Sequence, residues 1–326
     1  MADNIYGITI GDPSGVGPEI LLKAEQAGEI REKYVAYGDL AVLQFYQDRL
    51  GYNVKLHRIS KPSEYAPGCL NVIDHGLLTG ADIKPGQLDR QAGAAAREYV
   101  ISATRAALAG DIAAMVTLPM NKEATQLSDP GFTGHTELIG ALCGSEDVTI
   151  MLVSDALIVT HVSTHMSLRN AIAAAKKERI CKILQLTNDA VCRLIPGAQI
   201  AVAGLNPHAG EHGLFGDEEI NEIEPAVAWA KAQGMRVDGP FPPDTLFYMA
   251  VRKKKFDAIV CMYHDQGHVP LKLLDFEAGV NVTLGLPIIR TSVDHGTAFD
   301  IAGTGVASTV SLNRAIEFAV RLAKKA

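Results

Sequence analysis

Short β-branched runs alternate along the whole chain with segments of helical periodicity. Ile5–Ile10, Ala113–Thr117 and Asp257–Met262 are such runs, and longer helical patterns such as Gln91–Ala109 lie between them. This alternation is typical of βαβ units and predicts a largely parallel sheet covered by helices. A chain of 326 residues is long enough to form two α/β domains of this kind.

Charge and cysteine content narrow the classes of function. Lys and Arg total 30 against 37 Asp and Glu, for a net charge of −7, and the basic run Arg252–Phe256 is no longer than a solvated helix end. Nucleic acid is therefore not an expected partner. The five cysteines are scattered and form no C-x-x-C pair, which favours buried free thiols over disulfides or a thiolate metal site.

Hydropathy along the chain indicates neither membrane insertion nor export. No apolar run approaches the roughly 18 residues that are needed to span a bilayer. The first residues, "MADNIYGITIGD", lack the basic and long apolar regions of a secretory signal. We therefore expect a cytoplasmic protein that has no membrane partner.

Three candidate strands are each followed closely by a histidine. These are His165 in "STHMSLR", His208 in "LNPHAG" and His264 in "MYHDQGH". Ligands bind at the carboxyl ends of strands in open α/β sheets, and three imidazoles can bind one divalent cation while leaving positions open for a substrate. A single histidine of this kind is more often a satisfied polar residue, and the long separations do not establish that the three converge.

Other segments at strand ends carry groups suited to an anion. His135 and Thr136 lie at a predicted helix start in "FTGHTELIG", with Thr136 as a candidate N-cap. Asn281 and Arg290 flank a later strand-turn element, and a guanidinium group is the usual fork for phosphate or carboxylate. Lys272 ends "MYHDQGHVPLK", which we interpret as a polar turn.

Two glycine-rich segments lie near the ends of the chain. "ITIGDPSGVGPEI" runs from a strand into a helix but matches neither a P-loop nor the G-x-G-x-x-G pattern, so both an anion site and a plain tight turn remain open. "DHGTAFDIAGTG", which contains His295, Gly296 and Asp300, is a loop suited to a close approach of the backbone to a ligand.

Together these motifs resemble the 4-hydroxythreonine-4-phosphate dehydrogenase family of pyridoxine biosynthesis. The resemblance runs nearly end to end through "GDPSGVGPEI", "GFTGHTE", "STHMSLR", "GLNPHAGEHGLFGDEEI", "PPDTLF", "MYHDQGHVPLK" and "NVTLGLPIIRTSVDHGTAFDIAG". The first and last blocks also resemble isocitrate and isopropylmalate dehydrogenases. The resemblance implies two α/β/α domains of that fold, with the active site in the cleft between them. Residues 1–130 plus 276–326 would form the cofactor side, and residues 131–275 the domain with the metal ligands and dimer contacts.

The resemblance also implies the roles of individual residues. It makes the three strand-end histidines metal ligands, with one supplied by the partner subunit of a homodimer whose active sites are shared. The implied substrate contacts are His135, Thr136, Lys272, Asn281 and Arg290. The implied cofactor contacts are His295, Gly296 and Asp300, and the candidate supporting residues are Asp244, Asp265 and His268.

The implied reaction is an oxidation by NAD, with NADP as the alternative, followed by decarboxylation. One divalent ion per site (Zn, Mg, Mn or Co) would polarise the hydroxyl that is oxidised and stabilise the enolate left after carbon dioxide departs. Lys272, Arg290, His135 and Thr136 would hold the phosphate or carboxylate.

Two departures from the biosynthetic pattern bear on the substrate. His268-Val269-Pro270 stands where that branch has Leu-Pro, and "TLPMNKEA" also differs. The chain is closer to the 4-phospho-D-threonate and D-erythronate dehydrogenases, which yield dihydroxyacetone phosphate. Oxidation of 4-phosphohydroxy-L-threonine is the alternative substrate assignment. Alternatives of another class are a metal-dependent aldolase or hydrolase without dinucleotide, and a solute-binding protein, which the missing export signal disfavours.

Overall fold

The computed structural model describes residues 4–275 and 278–324. By internal contacts the described chain forms two units, the first from residues 4–146 and 286–323 and the second from residues between 147 and 285. Residues 131–146, expected in the middle domain, belong to the first unit, where the helix that begins at His135 packs against the long helix Arg90–Ala109. Residues 278–285, expected in the domain that holds both termini, belong to the second unit, where the strand Val280–Leu284 pairs with the strand Thr149–Val153.

Strands and helices alternate through both units, as the sequence predicts. In chain order they are β1 Tyr6–Thr9, α1 Gly17–Gln26, β2 Tyr34–Gly38, α2 Leu40–Leu50, β3 Leu56–Ile59, β4 Leu70–Asp74, α3 Arg90–Ala109, β5 Met115–Thr117, α4 Lys122–Gln126, α5 His135–Leu142, β6 Thr149–Val153, β7 Ile158–His161, α6 Leu168–Ala174, α7 Lys177–Leu194, β8 Ile200–Ala203, α8 Glu224–Ala232, β9 Val237–Phe241, α9 Pro243–Val251, β10 Ala258–Cys261, α10 His264–Leu274, β11 Val280–Leu284, β12 Arg290–Val293 and α11 Val310–Ala323. Among the described residues, no helix is long and apolar enough to cross a membrane.

The first unit contains six parallel strands in the order β3-β4-β2-β1-β5-β12. The central strands are buried on both faces, and Ile8, Val35 and Val116 have no exposed surface. Continuous apolar strands of this type need helices on both sides, which explains why the strands read as unbroken β-branched runs in the sequence.

The second unit contains six strands in the order β11-β6-β7-β10-β8-β9. Strand β6 is antiparallel to both of its neighbours, whereas β7, β10, β8 and β9 are parallel to one another. The carboxyl ends of β7, β10 and β8 therefore lie at one edge of this sheet. The loops and helix starts that follow these ends carry His165, His264 and His208.

The segment "MYHDQGHVPLK" forms a helix, so its interpretation as a polar turn was wrong. Helix α10 begins at His264, directly after β10, and contains Pro270 within it. Tertiary contacts outweigh the two helix-breaking residues. A Cβ at Gly267 would lie 2.6 Å from His161 Nε2 and 3.0 Å from Cys261 Sγ, so only a glycine lets the helix approach the sheet this closely.

Candidate active site

A cavity of about 590 Å³ opens in the second unit between the loop after β7 and the start of α10. It is lined by Thr164, His165, Met166, Ser167, Leu168, Ala171, Tyr263, His264 and Asp265. Two of the three expected metal ligands therefore share one cavity.

His165 and His264 are close enough to bind one ion together. Their ring centroids lie 5.7 Å apart, with the ring planes inclined by 43°. His264 Nδ1 lies 2.6 Å from the carboxylate oxygen Asp265 Oδ1, so Nδ1 carries the proton and donates it, which leaves the Nε2 lone pair for a metal. The same hydrogen bond lowers the pKa of Asp265. This donor set fits a divalent cation, for which metal–nitrogen bonds are about 2.0–2.1 Å.

His208 does not join this pair within one chain. It is exposed on a turn after β8, where its ring centroid lies 6.2 Å from that of Phe215. Across residues 4–275 and 278–324, no group of three or more His, Cys, Asp or Glu side chains is arranged to hold a metal ion. A three-histidine site would therefore have to be completed from outside the chain.

A second pair of histidines lies directly behind His264. His268 is 8% exposed and His161 is fully buried. His161 Nδ1 lies 3.2 Å from the carbonyl oxygen of Ile150, and His268 Nδ1 lies 3.1 Å from His161 Nε2 and 3.0 Å from the carbonyl oxygen of His264. A carbonyl oxygen only accepts, so both Nδ1 atoms are protonated and His161 Nε2 accepts from His268.

Burial keeps both of these imidazoles neutral. It lowers the pKa of His161 to about 4, and it lowers that of His268 to about 3, where the nearby His161 and His264 add to the effect. The pairing of His161 with His268 was not predicted from the sequence. No local pattern reveals the pairing, because it joins residues on separate elements.

The other residues of "HDQGH" hold α10 in place. Gln266 Nε2 donates to the carbonyl oxygen of Gly204, and its Oε1 accepts from the backbone N–H of Met262. Gln266 thus ties the start of α10 to the ends of both β10 and β8.

One face of α10 carries three of the candidate site residues. They are spaced at intervals of four and are His264, His268 and Lys272.

The remaining expected residues of the second unit are spread over three elements. Lys272 lies in the last turn of α10, where its charge contributes to the lowered pKa of His268. Asn281 lies in β11, and its Oδ1 atom is buried without a hydrogen-bond partner among the described residues. Asp244 is exposed in the first turn of α9.

Arg290, His135 and Thr136 all belong to the first unit. Arg290 is 3% exposed, and its Nε and Nη2 donate to Thr117 Oγ1 over 3.1 Å and 2.6 Å. Burial lowers the pKa of this guanidinium to about 10, so it stays charged at neutral pH. Thr136 stands in the first turn of α5 beside His135, which opens that helix.

His135 has an electrostatic environment that suits an anion. Its Nε2 atom is buried and has no hydrogen-bond partner among the described residues. Its pKa lies well below the usual value, first because of burial and then because of the charges of Arg290 and Lys122. A neutral imidazole next to two cations and a helix start favours a phosphate or carboxylate ligand. Lys122, which sequence reasoning missed, follows the N-cap residue Asn121 of α4.

The expected cofactor loop packs against the glycine-rich turn before α1. The carbonyl oxygen of Thr297 accepts from the backbone N–H of Val16, and a Cβ at Gly15 would lie 3.0 Å from the Thr297 side chain. His295, Gly296 and Asp300 are exposed on this loop. No described atom lies within 4 Å of the position that a Cβ of Gly296 would take, which leaves room for a ligand against the backbone.

Comparison with known proteins identifies the family. The sequence profile described as "Pyridoxal phosphate biosynthetic protein PdxA" matches residues 30–319. The chain belongs to the PdxA family. The D-threonate 4-phosphate dehydrogenase of Salmonella typhimurium is 45% identical over 328 residues, covering 99% of this chain and 100% of the relative. The crystal structure of a 4-hydroxythreonine-4-phosphate dehydrogenase from Klebsiella pneumoniae is 43% identical with a TM-score of 0.89, covering 98% of this chain and 100% of that chain.

These relatives confirm two expectations, the PdxA family resemblance and the enzyme class, a dehydrogenase. A more distant similarity concerns the fold alone. The β-decarboxylating dehydrogenase of Thermococcus kodakarensis is 14% identical with a TM-score of 0.51, covering 96% of this chain and 82% of that chain. It confirms the expected α/β fold class, which this chain shares with a β-decarboxylating dehydrogenase.

Proposed function

We propose that the protein oxidises a four-carbon hydroxy acid 4-phosphate with NAD and a divalent metal ion and then decarboxylates it. The substrate that we infer is D-threonate 4-phosphate or its D-erythronate epimer, and the products are dihydroxyacetone phosphate and carbon dioxide. The observation that carries the proposal is the pairing of His165 and His264 on one cavity, with His264 oriented by Asp265.

The metal would be held by His165 and His264 of one chain and by His208 of the second chain of a homodimer. When bound, the ion would polarise the substrate hydroxyl and stabilise negative charge during decarboxylation, while NAD would accept the hydride. The protein's own contribution is orientation. Asp265 fixes the proton of His264 on Nδ1 and so directs the Nε2 lone pair into the site.

The phosphate or carboxylate of the substrate would bind to the cationic residues. Arg290 is pre-oriented by its two hydrogen bonds to Thr117, and the unpaired His135 Nε2 supplies a further polar contact. Thr136, Lys272 and Asn281 complete the proposed set of substrate contacts. Desolvation around Arg290 strengthens its attraction for an anion, because water does not screen a buried charge.

His268 offers a hydrogen-bond acceptor next to the proposed metal site. Its ring lies against that of His264, and it is neutral with the proton on Nδ1. Its Nε2 atom is therefore an acceptor, suited to a hydroxyl or an amine of the substrate. The choice of a sugar acid phosphate rests on the substrate named for the relative from Salmonella typhimurium.

A homodimer with shared active sites accounts for the position of His208. The turn that carries His208 is exposed, and the neighbouring Leu214 and Phe215 are 71% and 48% exposed. Apolar side chains grouped next to a candidate ligand suit a contact with a second copy of the chain. His208 would then serve the site of the partner subunit.

Absorbance of NADH tests the proposal. The purified protein is given D-threonate 4-phosphate or 4-phosphohydroxy-L-threonine with NAD and Mn²⁺, and then the same mixtures with excess chelator. We expect faster NADH formation from the sugar acid phosphate, release of carbon dioxide, and loss of both with chelator. NADH from neither substrate would overturn the dehydrogenase proposal, and turnover that survives complete metal removal would overturn the histidine metal site. A higher kcat/KM for 4-phosphohydroxy-L-threonine would assign the biosynthetic substrate instead.

A further inference from the structure

The turn that carries His208 has an uncommon backbone conformation. Five consecutive residues, from His208 to His212, are left-handed, with φ values of 54°, 54°, 78°, 43° and 56°. Only Gly210 adopts this region without a penalty, because in the other four the Cβ approaches the following carbonyl oxygen. A strained run of this kind persists only where the surrounding structure holds it in place.

The buried carboxylate of Glu219 holds the entrance of this turn. Glu219 is 1% exposed. Its Oε1 accepts from the backbone N–H groups of Leu205 and Asn206, both over 2.7 Å, and its Oε2 accepts from Asn206 Nδ2 over 2.9 Å. Hydrogen bonds to a buried carboxylate are stronger than those between neutral groups, and they fix the backbone just before His208.

The same carboxylate packs against the middle of the turn. A Cβ at Gly210 would lie 2.7 Å from Glu219 Oε2, and a Cβ at Gly204 would lie 3.1 Å from Oε1. Glu219 therefore contacts the chain before the turn and at the centre of the turn.

We propose that Glu219 is the positioning residue for His208, and that it presents His208 to the metal by holding residues 208–212 in the left-handed conformation. This inference rests on the proposed function, because it takes His208 as a metal ligand. Glu219 itself does not contact the metal. Its carboxylate is occupied by the backbone and by Asn206.

Binding of Mn²⁺ alone to the full-length protein, measured by calorimetry, tests the inference. Glu219→Ala and His208→Ala should each raise the Kd by about tenfold or more, as is usual for groups that orient metal ligands. The double variant should bind as His208→Ala does, because both changes act through the same imidazole. Thermal unfolding midpoints show whether each variant is folded. If Glu219→Ala does not fold, Glu219→Gln replaces it, because glutamine keeps the shape of the side chain.

A rescue experiment separates positioning from general stability. Ala209→Gly relieves the strain at one position of the turn, so in the Glu219→Ala background it should recover part of the lost Mn²⁺ affinity. Lys254→Gly is the matched control, because Lys254 is also left-handed, with φ 51°, but lies elsewhere in the second unit. It should recover none.

The outcomes distinguish the positioning role of Glu219 from the three-histidine metal site. An unchanged Kd in Glu219→Ala, or a further loss when Glu219→Ala is added to His208→Ala, would overturn the positioning role while leaving the metal site standing. Equal recovery with Ala209→Gly and Lys254→Gly would also overturn it. An unchanged Kd in His208→Ala would overturn the three-histidine site itself.

Discussion

The imidazole rings of His264 and His268 lie face to face, with centroids 3.5 Å apart and planes inclined by 13°. His268 is anchored from behind by His161 and by the carbonyl oxygen of His264. A candidate metal ligand therefore rests on a neutral ring whose own position is fixed. A change at residue 268 would therefore alter the immediate surroundings of His264 without removing that imidazole.

His268→Leu should change the substrate preference and leave metal binding intact. A leucine fills similar space but offers no lone pair to a substrate hydroxyl, so we expect the ratio of kcat/KM between D-threonate 4-phosphate and 4-phosphohydroxy-L-threonine to shift by at least about tenfold. Steady-state kinetics with both substrates measure the ratio. Val269→Leu is the control, because Val269 is adjacent and 61% exposed. An unchanged ratio would exclude His268 as a determinant of specificity.

Thr117→Val should weaken both folding and substrate binding. It removes the hydroxyl that accepts two hydrogen bonds from the buried Arg290, so we expect the free energy of unfolding to fall by about 1–3 kcal/mol. Because Arg290 loses its orientation, the KM for the phosphorylated substrate should rise. Urea denaturation and initial rates measure the two effects. Thr104→Val is the control, since Thr104 is buried and bonds within its own helix to the carbonyl oxygen of Val100. It should leave KM unchanged.

Mixed dimers of two inactive variants should regain activity if the sites are shared. In a dimer of His208→Ala with His264→Ala, one site combines His165 and His264 of the first chain with His208 of the second and is intact. Random pairing of equal amounts should therefore restore about a quarter of the wild-type activity. Co-expression of the two variants provides this mixture, and purification through two different affinity tags isolates the mixed dimers, which should have about half of the wild-type activity.

The control for this experiment is His165→Ala mixed with His264→Ala. These residues lie together in one chain, so no mixed dimer contains an intact site. Activity in the control mixture, or none in the first mixture, would contradict a site shared in this way.

Asp12 should make the stability of the protein depend on pH in the acidic range. Burial raises the pKa of Asp12 from 3.8 to about 6, and its Oδ2 atom is buried without a hydrogen-bond partner among the described residues. The folded state thus binds the proton more tightly than the unfolded state. The stabilisation from the neutral acid is fully present below pH 3.8 and is lost as the pH rises through about 6.

Asp12→Asn should therefore raise the free energy of unfolding at pH 7, by on the order of 2 kcal/mol, and have little effect at pH 4. Urea denaturation at the two pH values measures the difference. Asp82→Asn is the control, because Asp82 is only partly buried and its pKa is lowered by hydrogen bonds from Thr79. A gain at pH 7 that equals the gain at pH 4 would contradict the assignment to Asp12.

The alternating architecture and the clustering of polar residues at strand ends were predictable, because both follow from periodicity. The helix α10 was not. Gly267 and Pro270 were read as turn residues, whereas the close approach to His161 selects the glycine and overrides local propensity. The intervals of four between His264, His268 and Lys272 were the available signal for a helix.

The division between α6 and α7 was also not predictable. Helix α6 ends at Ala174, and helix α7 begins at Lys177. Glu222 accepts from the backbone N–H of Lys177 and pairs with Lys176, so a residue far along the chain caps this helix. No local sequence pattern predicts a capping partner that lies this far along the chain.

Gly267 has a consequence for engineering the enzyme. The absence of a side chain at Gly267 sets the distance between α10 and the sheet. The backbone of α10 therefore positions His264, His268 and Lys272 together. Libraries that diversify position 268 or the cavity wall can therefore retune substrate range while the backbone stays in register. A substitution at position 267 would displace His264, His268 and Lys272 together, so this position should be kept as glycine.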